Sequence, residues 1–131
     1  MTYLLDMHVW LWLLADSRRI RPDLLAELHD GRVRLLLSAA SSWEIAIKWS
    51  IGRLPLPDPP AMYIPSRMQR SGVEGLPVDN AHALSVATLP QHHRVPFDRL
   101  LIAQANLESI PIVTADPVFD SYDVRVIHAT H

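Results

Sequence analysis

Cysteine is absent from the 131 residues, which removes disulfides, thiolate chemistry and zinc fingers at the outset. Lysine is nearly absent: of 12 basic residues 11 are Arg, and Lys48 stands alone. That bias fits phosphate recognition by planar guanidinium forks and fits coding bias equally well. An excess of charge is missing too. With a formal charge of -2 and a pI of about 6.4, the molecule as a whole exerts no pull on nucleic acid, so any such contact must use a local patch. No apolar run reaches the ~20 residues of a membrane span, and the N-terminus lacks the basic flank and cleavage site of a signal peptide. A soluble, cytoplasmic protein is therefore expected. Repeats and low-complexity tracts are lacking, and the length suits one domain over residues 1–131.

What is present is organised around Tyr3-Leu4-Leu5-Asp6-Met7-His8. A short apolar run ending in a carboxylate, with an apolar helical pattern from Val9 to Leu14 following at once, reads as a buried parallel strand. The C-terminal end of such a strand is where open α/β sheets hold ligands. Pro22 opens a second helix with Leu24, Leu25 and Leu28 on one face, and Val33 to Leu37 is a second strand. Ser38 to Ser42 leads into a helix through Ser50, in which Trp43, Ile45, Ile47 and Trp49 are too densely apolar for an exposed face. The prolines from Pro55 to Pro60 make a loop. Residues 61–71 form a helix that must start late or kink at Pro65. Val73 to Val78, weakened by Gly75 and Pro77, belongs at a sheet edge. Asp79 caps a helix over 81–88, Phe97 to Leu107 is another helix, and Pro111 to Val113 and Val124 to Ile127 are the last strands. Strands alternating with helices argue a parallel α/β sheet.

Four acids fall at equivalent places: Asp6 after the first strand, Glu44 in the helix after the second, Asp98 in a helix first turn and Asp116 after the fourth strand. Each has an ordinary explanation. Asp6 suits an N-cap, Ser41 and Glu44 fit a capping box, Asp98 complements a helix dipole, and Asp116 before Pro117 is a turn acid. Their common edge is what distinguishes them. Two carboxylates about 4 Å apart repel by about 4 kcal/mol at an effective dielectric of about 20, so a convergent set takes up protons or a cation. An all-oxygen site suits Mg²⁺ or Mn²⁺. His82, His92 and His93 have no ligand spacing to these acids and read as surface or capping residues, while His8 lies nearer. Trp10, Trp12, Trp43 and Trp49 read most simply as core, the alternative being that four Trp in a small domain leave an exposed apolar groove for a partner. Trp10 and Trp12, about 200° apart on one helix, cannot both be core.

With those residues in place the chain resembles the PIN-domain ribonucleases of the VapC toxin type. The resemblance is carried by Leu4 to Val9, Ser38 to Lys48, Pro96 to Ala105 and Thr114-Ala115-Asp116, in an order that spans most of the chain. It implies a PIN-like α/β fold: an open parallel five-stranded sheet of order 3-2-1-4-5, flanked by helices, with the first strand central. It further implies that Asp6, Glu44, Asp98 and Asp116 are the catalytic acidic quartet and Thr114 its accompanying hydroxyl. Asp6 and Asp98 would be the principal ligands of Mg²⁺ or Mn²⁺, with Glu44 and Asp116 positioning water or a second ion. RNA substrate, a VapB-like antitoxin and a homodimer are implied as partners. Two positions depart from the pattern. Met7 stands where relatives have Thr or Ser, and Val95 where an Asp would cap the next helix, a loss of about 1 kcal/mol locally. The alternative to a nuclease is a catalytically weak PIN-like module that binds RNA or a partner. A phosphoacceptor receiver fits poorly, because Lys48 lies one helical turn beyond Glu44 and not at a strand end.

Overall fold

The computed structural model describes residues 1–130. Strand β1 (Thr2–Leu5) is the centre of a five-stranded sheet, with β2 (Arg34–Ser38) and β3 (Val73–Leu76) on one side and β4 (Ile112–Thr114) and β5 (Val126–His128) on the other. The order is β3-β2-β1-β4-β5 and every neighbouring pair is parallel, the architecture expected from the resemblance. Parallel pairing needs crossovers, and helices supply them on both faces. The alternation of side chains in the strands therefore feeds two cores. Tyr3, Leu5, Leu35, Leu37 and Val113 point into one, with Trp10, Leu24, Ile45 and Tyr63. Leu4, Leu36 and Ile112 point into the other, with Leu101, Ile102, Phe119 and Tyr122. A strand buried on both sides reads as unbroken apolar sequence, which is what Tyr3-Leu4-Leu5 and Leu35-Leu36-Leu37 are.

Helix α1 (Met7–Ala15) begins directly after Asp6, and α2 (Pro22–Leu28) has Pro22 in its first turn. α3 (Ala39–Ser50) starts without a connecting loop, because Ser38 is both the last residue of β2 and the N-cap, accepting the Ala40 N–H at 3.0 Å. α4 (Pro60–Ser71) neither starts late nor stops at Pro65. That ring lies on the exposed face, so the structure forgoes one hydrogen bond, to the Ala61 carbonyl, and keeps a continuous helix that buries Tyr63 and Ile64. α5 (Asn80–Ser85) is shorter than expected and continues as a 3₁₀ turn, Val86–Thr88. Its N-cap Asp79 and His82 form a reciprocal capping box, so the expected capping role of His82 holds. α6 (Pro96–Glu108) and 3₁₀ turns at Ser17–Arg19 and Pro117–Ser121 are the remaining helical elements among the described residues. β3 lies at the sheet edge, as Gly75 suggested.

The tryptophans correct the sequence reading. Trp10 is fully buried, but Trp43 is 58% exposed and Ile47, Trp49 and Ile51 are exposed as well. α3 buries a narrow stripe, Ala40, Ser41 and Ile45, and presents the rest of its apolar surface outward. Among the described residues no helix is long and apolar enough to cross a membrane.

Candidate active site

Strand register brings the key residues to one edge. Leu5 pairs with both Leu37 and Val113, so Asp6, Ser38 and Thr114 follow at one level where β1, β2 and β4 end. Asp6 has extended backbone geometry at the N-cap of α1, yet its side chain makes no capping hydrogen bond to the helix, although the nearby His8 N–H favours its ionised form. The carboxylate instead accepts the Thr114 hydroxyl at 2.8 Å, and that hydroxyl accepts the Asp116 N–H at 3.0 Å. Asp6 is only 6% exposed, and burial pushes its pKa up. The Thr114 hydrogen bond and the His8 charge act against that rise, and Glu44 adds to it.

Glu44 is not engaged in a capping box. α3 begins earlier than expected, which places Glu44 in the second turn, and the buried Ser41 hydroxyl makes no hydrogen bond. Glu44 reaches Lys48 at 3.1 Å, one turn on, so the single lysine partly neutralises this acid. Asp98 stands third in α6, behind Pro96 at the first position and the uncapped Val95. Its carboxyl is pushed up to about 7 by burial first, then by the negative charges of Asp6, Glu44 and Asp116. Four chain segments distant in sequence thus share one field. Asp116 is the most solvated. One of its oxygens accepts the Val118 N–H at 3.0 Å, so the turn role expected for an ordinary acid is real and occupies part of its capacity. An edge-on contact between Trp43 and Phe97, with ring centroids 5.1 Å apart, ties α3 to α6 beside Glu44 and Asp98.

The donor set is four carboxylates and a hydroxyl, which suits a hard divalent cation. Among the described residues no three Asp, Glu or His side chains close to metal-ligating distance, so the acids form an open, mutually repelling set and not a finished cage. A second group of residues surrounds Asp98 that no sequence spacing announces. His93 Nε2 lies 3.4 Å from Asp98 Oδ2, and His93 Nδ1 lies 2.6 Å from the Tyr122 hydroxyl. Arg99, 6% exposed, has no carboxylate partner among the described residues and is held by the carbonyls of Pro90 and His93 and by the Tyr122 hydroxyl. His93 is five residues before Asp98 and Tyr122 is 24 after it, a separation no helical or strand period connects.

Comparison with known proteins gives a consistent answer. The PIN domain family model matches residues 3–125. A 57-residue segment is 54% identical to Ribonuclease VapC16 of Mycobacterium tuberculosis, covering 44% of this chain and 40% of that protein, so the chain spans well under half the length of the curated relative it matches. Among solved structures, VapBC2 from Rickettsia felis bound to a DNA fragment from its promoter superposes with a TM-score of 0.74 at 12% identity, over 98% of this chain and 99% of that one. DNA-bound VapBC from Salmonella typhimurium gives 0.71 at 14% identity, over 98% of each chain. VapBC-5 from Mycobacterium tuberculosis gives 0.61 at 20% identity, over 99% and 98%. At these identities the structures speak to the fold.

Proposed function

This chain belongs to the PIN-domain family, and on that premise we propose that it is a divalent-metal-dependent endoribonuclease, the toxin component of a VapBC-type toxin–antitoxin system. The observation that carries this reading is the Asp98 carboxyl, pushed up to about 7 by burial and by three other acids at the same sheet edge. Carboxylates gathered at such an energetic cost are characteristic of functional sites. In this reading residues 1–131 form a single PIN domain. Asp6 and Asp98 are the principal ligands of Mg²⁺ or Mn²⁺, and Glu44 and Asp116 position water or a second ion. When bound, the cation supplies positive charge against the phosphate and makes water a stronger nucleophile for an in-line displacement. The chain's own residues do the rest. Thr114 donates to Asp6 and so fixes the direction of its free oxygen, and its acceptance of the Asp116 N–H holds β4 and the following turn to that geometry. Lys48 draws Glu44 toward α3 and offsets part of the repulsion.

RNA is the proposed substrate, and a VapB-like antitoxin and a second copy of the chain are the proposed partners. The VapBC complexes among the structural neighbours, and the exposed Trp43 and Ile47 on α3 with Ile51 at its C-cap, support covering partners. The openness of the acidic set favours a second reading, a catalytically weak module that binds RNA or a partner. The two are separated by titrating Mn²⁺ into purified protein with a structured RNA, beside an Asp6→Asn control. Metal-dependent cleavage that disappears in Asp6→Asn supports the nuclease. Binding without cleavage at millimolar Mn²⁺ would leave the second reading.

A further inference from the structure

His93 sits in a hydrogen-bonding frame that dictates which of its nitrogens carries a hydrogen. The Tyr122 hydroxyl oxygen receives two N–H groups, from Arg99 Nη1 and from the His93 backbone, each at 3.3 Å. Both acceptor sites of that oxygen are thereby filled. Its own hydrogen is left for His93 Nδ1, 2.6 Å away. Nδ1 is then an acceptor, and the ring hydrogen must reside on Nε2. That nitrogen is buried and makes no hydrogen bond among the described residues, while Asp98 Oδ2 lies 3.4 Å from it. An unspent donor thus lies beside one of the acids, on a ring held by a tyrosine that a buried cation holds in turn.

We propose that His93 is a positioning residue that holds the Asp98 carboxylate by donating Nε2–H to it, with Tyr122 fixing the tautomer and Arg99 fixing Tyr122. The 3.4 Å separation is short enough for a small side-chain adjustment to make that bond, and a carboxylate acceptor strengthens it. With one oxygen held by His93, the other is left to a cation. This deepens the cation-site reading and rests on it. Outer partners of ligating carboxylates commonly change metal affinity by about 10- to 100-fold when removed.

Two measurements decide it. Long-range ¹H–¹⁵N spectra of the imidazoles in the metal-free protein read the tautomer directly. A single Nε2–H form is expected for His93 in the wild type, with a mixture in Tyr122→Phe and a shifted Nε2–H resonance in Asp98→Asn. Mn²⁺ affinity by calorimetry is then compared among His93→Ala, His93→Asn and His93→Gln, each checked for a native melting curve. His93→Gln restores an N–H donor near the Nε2 position and should retain most of the affinity. His93→Ala and His93→Asn should lose about 10- to 100-fold. An Nδ1–H tautomer in the wild type overturns the proposal whatever the metal does, and so does His93→Ala binding Mn²⁺ as tightly as the wild type. A wild type that binds no Mn²⁺ overturns the cation-site reading instead, and the Nε2–H response to Asp98→Asn still shows whether His93 donates to that carboxylate.

Discussion

Asp98 carries the sharpest local conflict in the molecule, a carboxyl whose ionised form is opposed both by burial and by three other acids. Its folded pKa, about 7, lies above the ordinary value of 3.8, so the folded state binds more protons than the unfolded state between those two points. In the metal-free protein this contribution to stability is fully present below about pH 4 and is lost as pH rises through about 7. Asp6, raised chiefly by burial, pushes in the same direction. After allowance for screening by the solvent that reaches Asp98, the swing is about 2 kcal/mol. Urea melts of metal-free protein at pH 5 and pH 8 should therefore differ, with the lower pH more stable, and Asp98→Asn should shrink that difference. Thr114 acts at the same scale. Its hydroxyl is buried and has both a donor and an acceptor role, so Thr114→Val leaves Asp6 and the Asp116 N–H each short of a partner. A loss of about 1–3 kcal/mol is expected from unsatisfied buried groups, visible as a lower urea midpoint at unchanged slope.

At the scale of elements, α1 offers a matched pair of substitutions. Trp10 is fully buried in the larger core, with its indole N–H 3.3 Å from the Ser71 hydroxyl. Trp12 is half-buried, lies under Arg19, and lines a groove with Leu11, Leu54, Pro55, Leu56 and Tyr63. Trp10→Ala should cost about 3–5 kcal/mol, the range for deleting a buried aromatic. Trp12→Ala should change melting little and weaken binding of the proposed antitoxin partner, as loss of an aromatic anchor does. Equal destabilisation by both, with antitoxin affinity intact in what still folds, would exclude this groove as the docking surface. That one of the two must leave the core was legible from their angular separation. The central strand, the edge strand β3 and the positions of Asp6, Asp98 and Asp116 were legible for a similar reason, since each depends on a local pattern of apolar runs, caps and breakers. The exposed side of α3 was not, because Trp43 and Trp49 look like core until the neighbours of the helix are known. The relay from Arg99 through Tyr122 to His93 was hidden too, for it joins a loop, a helix and the end of a 3₁₀ turn that only the fold brings together.

At the scale of the whole molecule, the acidic edge and the parallel sheet are one design: β1, β2 and β4 end at the same level, the first turn of α6 brings Asp98 to them, and the charge gathered there opposes folding until something neutralises it. Global stability should therefore depend on divalent cation. At a free concentration one hundred times the dissociation constant, binding to the folded state alone adds about 2.7 kcal/mol. For a domain of this size that is an upward shift of several degrees in melting temperature. The decisive measurement is the melting curve of the wild type and of Asp98→Asn at pH 8, with and without millimolar Mg²⁺ or Mn²⁺. The wild type should melt several degrees higher with metal, while Asp98→Asn should melt higher than the wild type in its absence and respond less when it is added. Superimposable wild-type curves with and without either cation would contradict the claim that these four acids form a metal site.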